Sequence, residues 1–406
     1  MTHFKSRTRF PVAGAAALTF ALGLGCALTA AAETPKTRAF RQPFPQQATE
    51  LRLANLAGHV ELVRADGREV VVEATVHALG ENGRETQKLL DGMKWVRSKD
   101  NKGRDEWALS YPVDDYTSYH YPQGSKKEEP SGFWGFFFDS GSSSSVTYRG
   151  ERVRIRSTKR SSDPTLYADL RIALPAGSQV SVRNAVGSIN GSGALEGALT
   201  LDTGSGTVTL ASYAGRLLVD TGSGKVAIGT VKGETTIDTG SGDVTVRSLV
   251  GNGSVETGSG SIVIDSVSAG KLSVDTGSGD VTVKSGDAGR LLADTGSGSV
   301  KVLGVEIEEL VADTGSGDIV LRSSLDKTRK VTAETGSGEV RIVAGPNASF
   351  DIDTDQGSGD LRVGYQDAVL RRSGRKVVGA KRGTGRTVIH IATGSGDCTI
   401  GPKEES

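Results

Sequence analysis

The stretch Thr239-Gly-Ser-Gly-Asp-Val-Thr-Val-Arg-Ser248 decides the fold, because its first four residues return along the second half of the chain. Copies of Thr-Gly-Ser-Gly begin at positions 203, 221, 239, 257, 276, 295, 314, 335 and 393, and a degenerate copy begins at Gln356. Successive starts, the degenerate copy included, are 18, 18, 18, 19, 19, 19, 21, 21 and 37 residues apart. A period near twenty residues is typical of a stacked repeat architecture.

Apolar residues alternate on both sides of the repeated phrase. The first column after it is Val208, Val226, Val244, Ile262, Val281, Val300, Ile319, Val340, Leu361 and Cys398, and the second is Leu210, Ile228, Val246, Ile264, Val283, Val302, Leu321, Ile342, Val363 and Ile400. A looser pair precedes the phrase: Leu217 and Val219, Leu272 and Val274, Leu291 and Ala293, Leu310 and Ala312, Phe350 and Ile352. Thr235 and Gly253 interrupt this looser pair. Alternation with period two places such residues on one face of a β-strand.

Each repeat carries about two short strands, which is too little to bury an apolar face alone. Stacking would place each strand beside its equivalent, about 4.8 Å away. The glycines suit the corner between strands, because glycine reaches positive φ without a Cβ clash. The sequence therefore predicts an all-β protein, a single-stranded β-helix or β-solenoid of about ten coils of 18–21 residues, forming a rod on the order of 50 Å long.

The part of the chain before the repeats indicates an N-terminal β-rich cap region. Alternating residues from Thr49 to Ala78 predict opening strands that lack the Thr-Gly-Ser-Gly corner. Asn82 is placed to cap one short helix that runs through about Arg97, with its apolar side formed by Leu89, Leu90, Met93 and Val96. The predicted organisation is a signal peptide at 1–32, β-rich coils and cap at 33–183 with a loop insertion at 114–149, the regular solenoid at 184–363, a basic insertion at 364–386, and a final coil and tail at 387–406.

The N-terminus has the features of a secretory signal peptide. Lys5, Arg7 and Arg9 precede an apolar run from 11 to 28, and three alanines at 30–32 form a small-residue cleavage site. We therefore expect export to the periplasm or the cell surface. Cys26 leaves lipidation open as a second processing route. Cleavage after residue 32 would leave Cys398 as the remaining cysteine, so no internal disulfide would stabilise the mature chain.

Composition argues against several functions. Lys and Arg number 48, as do Asp and Glu, so no basic footprint for nucleic acid is expected. The five histidines show no metal-ligand spacing, and no later segment is apolar enough to span a bilayer. Asp202-Thr-Gly-Ser matches the phrase around the catalytic carboxylate of aspartic proteases, but that chemistry needs two carboxylates brought together from separate lobes. Here the phrase occurs six times, which predicts a column along a rod and no enzyme or cofactor.

An acidic residue precedes almost every corner: Asp202, Asp220, Asp238, Glu256, Asp275, Asp294, Asp313 and Glu334. Stacked carboxylates about 4.8 Å apart would repel by about 0.9 kcal/mol in water and about 3.5 kcal/mol at an effective dielectric constant of 20. One account is that each carboxylate accepts hydrogen bonds from the N–H groups of its own corner. The other account is a Ca²⁺ ladder, whose ligands would be Asp220, Asp238, Asp275, Asp294 and Asp313.

Two insertions supply candidate contact residues. The first is an aromatic cluster in the 114–149 segment: Phe133, Trp134, Phe136, Phe137 and Phe138. It would either dock on a membrane surface or partner, or fold back over the solenoid. The second contains Arg371, Arg372, Arg375, Lys376, Lys381, Arg382 and Arg386 against one acid, Asp367. Such a basic run could meet an anionic envelope surface or could be a solvated loop.

The phrases at 54–62 (Ala-Asn-Leu-Ala-Gly-His-Val-Glu-Leu) and 174–182 (Leu-Pro-Ala-Gly-Ser-Gln-Val-Ser-Val), together with the Thr-Gly-Ser-Gly-Asp-Val ladder, resemble a known bacterial group. It is the uncharacterised β-strand-repeat family of "putative adhesins", also called toast-rack domains. The resemblance spans nearly all of residues 49–400. It implies a β-helix-like rod in the cell envelope, linked in some members to surface attachment or envelope-stress signalling, and it offers no catalytic residues.

Three functions follow for testing. The first is an exported, non-catalytic scaffold or adhesin, whose partner would be an envelope protein, a surface ligand or a second copy joined end to end. The second is a periplasmic ligand-sensing module that reports envelope stress to a membrane partner. The third is an enzyme acting on polysaccharides, which the short corners disfavour because they build no cleft.

Overall fold

The computed structural model describes residues 34–45, 50–100, 102–122, 143–160 and 163–402. Within these ranges it contains one helix, α1 (Gly83–Gly92), which is too short and polar to cross a membrane. The strands of the same ranges are β1 (Lys36–Pro45), β2 (Leu51–Ala57), β3 (Val60–Ala65), β4 (Glu69–Leu79), β5 (Trp95–Lys99), β6 (Asp105–Leu109), β7 (Ser118–His120), β8 (Ser144–Tyr148), β9 (Glu151–Arg156), β10 (Thr165–Pro175), β11 (Ser178–Val186), β12 (Ile189–Ser205), β13 (Val208–Ser223), β14 (Val226–Lys232), β15 (Thr235–Ser241), β16 (Val244–Val250), β17 (Gly253–Thr257), β18 (Ile262–Thr276), β19 (Val281–Val283), β20 (Gly286–Thr295), β21 (Val300–Leu303), β22 (Val305–Thr314), β23 (Ile319–Ser323), β24 (Lys330–Thr335), β25 (Val340–Ala344), β26 (Phe350–Gln356), β27 (Leu361–Val363), β28 (Val369–Ser373), β29 (Lys376–Arg382), β30 (Thr387–Thr393) and β31 (Cys398–Gly401). The segment expected to be a signal peptide lies outside the described residues.

The repeats form parallel, in-register coils, which confirms the predicted β-solenoid. Each coil has a strand that ends at a Thr-Gly-Ser-Gly corner and a strand that follows the corner. Between strands that end at a corner, Thr239 pairs with Thr257 of the next coil. Between strands that follow a corner, Val226 pairs with Val244 of the next coil. Equivalent residues of neighbouring repeats therefore lie side by side along the rod.

The interior is a set of aliphatic columns, and one of them was not predicted from the sequence. The two predicted columns after the corner are buried, as at Val244 and Val246. A third buried column lies three residues further on, past a bend in the strand, and consists of Leu195, Tyr213, Val231, Leu249 and Val267. Its signal is present in the sequence as an apolar residue three positions after the second column.

The interruption at Gly253 is filled by its neighbours. A Cβ at this glycine would meet the side chains of Leu249 and Leu272 at 3.0 and 3.2 Å, so these leucines occupy the space of the missing side chain. Thr235, the other interruption, is buried within the same column. The apolar interior therefore remains filled at this column although its residue types vary.

Coils of different length keep the corner in register. Leu249 and Val267 are equivalent residues of the third column, and Gly253 and Leu272 are equivalent residues at the start of the following strand. Four positions separate Leu249 from Gly253 in an 18-residue coil, and five separate Val267 from Leu272 in the next coil. The extra residue lies in the bend opposite the Thr-Gly-Ser-Gly corner, and Thr257 still pairs with Thr276. Insertions are therefore absorbed on one side of the rod.

Spatial order departs from chain order at both ends of the rod. Strand β30 pairs with β24 on one side and with β26 on the other, and β31 lies likewise between β25 and β27. The segment predicted to be the final coil is thus the penultimate coil in space. At the opposite end, β3 lies between β10 and β12, although it precedes both in the chain.

Antiparallel strands close each end. At the N-terminal end, β1 pairs with β4, and β4 pairs with β10. Helix α1 packs nearby, with Asn82 accepting hydrogen bonds from the N–H groups of Arg84 and Glu85 as its N-cap. The helix ends at Gly92 instead of near Arg97, because Trp95–Lys99 forms β5 and pairs with β6. At the other end, β29 pairs with β26 and carries β28 as the outermost strand.

A charge placed in the aliphatic interior should disrupt several coils. Val281 is fully buried, whereas the adjacent Thr282 points outward and is partly exposed. We expect Val281→Asp to cost roughly 4 kcal/mol or more of stability, since the carboxylate would be buried without a partner. Thr282→Asp, the matched control, should melt close to wild type in circular dichroism. Equal melting temperatures for the two variants would be incompatible with the assigned faces.

The corner glycines should tolerate no side chain. Gly242 has φ +151°, and a Cβ there would overlap the carbonyl oxygen of Gly224 in the preceding coil. We expect Gly242→Ala to cost roughly 2–4 kcal/mol through backbone strain and loss of close stacking. Gly67→Ala is the control, because no atom lies within 4 Å of the position that a Cβ would take there. The measurement is the urea midpoint of each variant, and an unchanged midpoint for Gly242→Ala would contradict the close coil contact.

Candidate interaction surfaces

The threonines of the corners form a buried hydrogen-bond ladder between coils. Eight of these hydroxyls donate to the carbonyl of a glycine in the neighbouring coil, whereas the buried hydroxyl of Thr221 makes no such bond. The pairs are Thr203 to Gly187, Thr239 to Gly224, Thr257 to Gly242, Thr276 to Gly260, Thr295 to Gly279, Thr314 to Gly298, Thr335 to Gly317 and Thr393 to Gly338, with distances of 2.7–3.4 Å. The repeated threonine therefore has a structural role and is not available at the surface.

Two asparagines continue this ladder at the N-terminal end. Asn184 pairs in register with Thr203 on one side and with Asn55 on the other. The Nδ2 atom of Asn184 donates to the carbonyl of Gly58 at 2.8 Å, and that of Asn55 donates to Asn184 Oδ1 at 3.0 Å. The segments that begin at Asn55 and Asn184 are thus corners with asparagine in place of threonine. The sequence predicted a coil that starts at Asn184, but it predicted strands without a corner around Asn55.

The acidic residues before the corners form a straight column, as their spacing predicts. Asp220 pairs with Asp238, Asp238 with Glu256, and Asp294 with Asp313 on adjacent strands. Most of these side chains are exposed on the outer face. The carboxylates therefore follow one another along the rod. An aspartic protease needs a different arrangement, in which two carboxylates face each other and share a proton.

The corner N–H groups do not bind these carboxylates, so the expected turn hydrogen bonds are wrong for this column. The N–H of Gly242 donates to the carbonyl of Ser259, and the N–H of Gly258 donates to the carbonyl of Thr239. The pKa values of Asp202, Asp238, Asp275 and Asp294 are raised, first by burial and then by the neighbouring carboxylates. The electrostatic repulsion between neighbouring carboxylates therefore persists along the column.

The acidic residue after the corner accepts hydrogen bonds from the backbone of the next coil. Asp243 accepts from the N–H of Ser261 at 3.1 Å, and Asp280 accepts from the N–H of Ser299 at 2.9 Å, in each case one coil further along. Lys301 Nζ also lies 2.8 Å from Asp280. The side-chain bond from Lys301 and the backbone bond from Ser299 lower the pKa of Asp280. The sequence predicted carboxylate hydrogen bonds within one corner before the phrase, whereas these bonds lie after it and join neighbouring coils.

A gap in the acidic column opens a groove near the C-terminal end. Ala392 of the inserted coil stands between Glu334 and Asp355 in register. These residues and Asp313 line an open space of about 490 Å³ together with the corner glycines. Within the described ranges, no group of three or more His, Cys, Asp or Glu is arranged to hold a metal ion. The calcium ladder stays a prediction.

A polar cluster missed by the sequence analysis lies beside the first corners. His59 Nδ1 is 2.8 Å from Ser188 Oγ, and Asp169 Oδ2 is 3.2 Å from His77 Nε2. Asp169 also accepts a hydrogen bond from the backbone N–H of His59. Burial raises the pKa of Asp169, but the hydrogen bonds from His77 and from the His59 N–H outweigh burial, so the pKa is lowered overall. The carboxylate of Asp169 therefore holds the backbone of the corner in place.

The basic insertion folds as the hairpin of β28 and β29, and its predicted contact residues separate into two pairs. Arg371 donates to Asp351 at 2.5 Å and to the carbonyl of Ile352 at 2.6 Å. Lys376 Nζ donates to the carbonyls of Gln356 and Gly357. Arg372 and Arg375 are exposed near the turn of the hairpin, where Arg372 reaches only the carbonyl of Arg375 at 3.5 Å.

The remaining residues singled out from the sequence are the aromatic cluster and Cys398. Phe133, Trp134, Phe136, Phe137 and Phe138 lie outside the described residues, so their role stays a prediction. Cys398 is buried in the first column after the corner, and burial raises the pKa of its thiol. A buried thiol of this kind packs as a small apolar side chain.

The two acidic positions around one corner should respond oppositely to neutralisation. Asp275→Asn removes a carboxylate whose pKa is raised, so it should stabilise the protein at pH 7 by roughly 0.2–1 kcal/mol. Asp280→Asn removes a carboxylate whose pKa is lowered, so it should destabilise by a few tenths of a kcal/mol, about the value of an exposed ion pair. Thermal melts at pH 7 measure both.

The pH dependence gives a second check of the same pair. A raised folded-state pKa means that the folded protein gains stability as the pH falls through that pKa. The advantage of Asp275→Asn should therefore shrink on acidification, because the wild-type carboxyl becomes neutral as well. A destabilised Asp275→Asn variant at pH 7 would show that the column is held by a favourable partner such as a cation.

Comparison with known proteins finds one family model, and it matches the repeat part of the chain. Residues 249–401 match the family model Toastrack DUF4097. No curated protein matches the sequence.

Three solved structures are similar in fold. A "Putative lipid binding protein" from Parabacteroides distasonis ATCC 8503 is 13% identical, with a TM-score of 0.35, and the match covers 91% of this chain and 97% of that one. A "putative adhesin" from Bacteroides fragilis NCTC 9343 is 13% identical, with a TM-score of 0.26 and coverage of 89% and 97%. A "putative cell adhesion protein" from Clostridium sporogenes ATCC 15579 is 10% identical, with a TM-score of 0.18 and coverage of 90% and 98%. Residues 249–401 are thus similar to the toast-rack domains that the family model describes.

Proposed function

We propose that the protein is an exported, non-catalytic β-solenoid that serves as an adhesion or interaction rod of the bacterial cell envelope. The observation that carries this proposal is the repetition of exposed side chains at equal positions in successive coils. One such column is acidic. Beside it runs a second column, exposed at its first two positions and half-buried at the others, of Leu218, Thr236, Ser254, Ser273, Leu292 and Val311. A linear array of this kind suits a partner that is itself extended or repetitive.

The rigidity of the scaffold favours a binding role. Buried columns on the inside and the threonine ladder at the corner fix each outward strand in place. A rigid surface loses little conformational entropy when a partner binds, so weak contacts repeated along the rod can add together. An envelope rod could therefore hold a ligand without a deep pocket.

The polar groups of the described residues support a non-catalytic role. The acidic column runs parallel to the rod and brings no two carboxylates face to face. Asp243 and Asp280 are engaged by backbone N–H groups of the next coil. Asp169 accepts a hydrogen bond from the backbone N–H of His59, so this carboxylate holds the backbone of the corner.

Export is proposed from the residues at 1–32, where a basic start, an apolar run and three alanines follow one another. Removal of this segment would also remove Cys26, and the solenoid depends on stacking and not on a disulfide. Such a chain can fold in an oxidising compartment without a thiol partner.

The test is site-specific crosslinking in intact cells. A photoreactive residue would replace the exposed Thr236 on the outward column, and the control would carry it at the exposed Gln87 on α1. We expect the full chain to fractionate with the cell envelope, and we expect Thr236 to capture an envelope protein or surface glycan that Gln87 does not capture. Capture of a second copy would indicate end-to-end or side-to-side assembly of the rod. Retention of the protein in the cytoplasm would contradict the proposal.

A further inference from the structure

The hairpin of β28 and β29 has a composition that the rest of the rod lacks. Residues 364–386 hold seven basic side chains and one acidic side chain, whereas the whole chain is balanced at 48 and 48. All five residues of β28 are exposed. This hairpin forms the outer edge of the sheet at the C-terminal end of the rod.

Most of the basic side chains are used to attach the hairpin. Arg371 binds Asp351, Arg382 lies 2.8 Å from Asp367 and over the ring of Tyr365, and Arg386 lies 3.7 Å from Asp326. Arg372 and Arg375 remain, and neither has an acidic partner among the described residues. Two unneutralised guanidinium groups therefore stand at the turn of the hairpin.

Exposed apolar side chains lie on the same hairpin as these arginines. Val369 is 70% exposed and Leu370 is 40% exposed, and both belong to β28, as does Arg372. They are two of only five large apolar side chains that are exposed within the described ranges. An exposed apolar pair on a hairpin that also carries guanidinium groups without acidic partners is the pattern of a surface that contacts both the acyl and the phosphate layers of a bilayer.

A second copy is a poor partner for this edge. Strand addition of β28 to another β28 would bring Arg371 and Arg372 of one copy close to those of the other, and like charges opposite each other are destabilising. The charge of the hairpin is complementary instead to an anionic surface.

We propose that the β28–β29 hairpin docks the end of the rod onto an anionic lipid bilayer, with Arg372 and Arg375 on lipid phosphates and Val369 and Leu370 at the acyl boundary. This inference rests on the proposed envelope location, since that is where the chain would meet such a surface. It adds the chemical class of one partner to that function.

The test is co-sedimentation of the purified full chain with vesicles of phosphatidylglycerol and phosphatidylcholine, compared with phosphatidylcholine alone. We expect binding to the anionic vesicles that weakens with added salt. Arg372→Glu/Arg375→Glu should weaken binding about tenfold or more. The matched control is Arg64→Glu/Arg68→Glu, which makes the same charge change at exposed residues of the opposite end and should bind like wild type.

Val369→Ser/Leu370→Ser tests the apolar half of the contact and should also weaken binding, with melting temperatures near wild type showing that the hairpin still folds. Equal binding by the hairpin variant and its control, or equal binding to both kinds of vesicle, would overturn the proposal. Failure here would leave the cellular crosslinking result unaffected, so the two proposals can fail separately.

Discussion

In-register stacking at the spacing of parallel strands is the constraint on which the whole structure depends. It places each residue beside the equivalent residue of the next coil. A residue type therefore suits a position only if two copies of it can pack side by side. Glycine meets glycine at the corner, where a Cβ on Gly242 would overlap Gly224. Valine meets valine inside, and threonine hydroxyls reach the next corner carbonyl. The repetition of the sequence follows directly from this geometry.

The same constraint sets carboxylate against carboxylate on the outside, where it is unfavourable. The pKa values of Asp238 and Asp294 are raised first by burial and then by this repulsion, because nearby carboxylates favour the protonated form. Turn chemistry does not explain why the column persists, since the corner N–H groups bond to backbone carbonyls. Solvent exposure limits the repulsion. A feature that is mildly unfavourable for folding and yet recurs in almost every coil is best understood as part of the surface that the rod presents.

Sequence reasoning predicted the features that repeat locally and missed those that depend on which coil lies next to which. The period, the corner and the columns of Val244 and Val246 could be read directly, and so could the helix cap at Asn82. The first regular coil at Asn184 was also predicted, but the corner at Asn55 was missed, because asparagine there makes the hydrogen bonds that threonine makes in the repeats. The position of residues 387–401 between two earlier coils could not be read, because every coil offers nearly the same edge to its neighbour. The aromatic cluster near 133–138 lies outside the described residues and is still a prediction.

Interleaving at both ends has a physical consequence for a repeat protein. Such rods are held by nearest-neighbour contacts, so their terminal coils are the first to fray. Here β30 is held on both sides, and β3 is held between β10 and β12, so fraying at either end must break pairings between distant parts of the chain. The exposed edge is thereby transferred to the β28–β29 hairpin, whose arginines oppose the addition of another strand. An edge that is closed to strands but basic and partly apolar is suited to a lipid surface, which needs no backbone pairing.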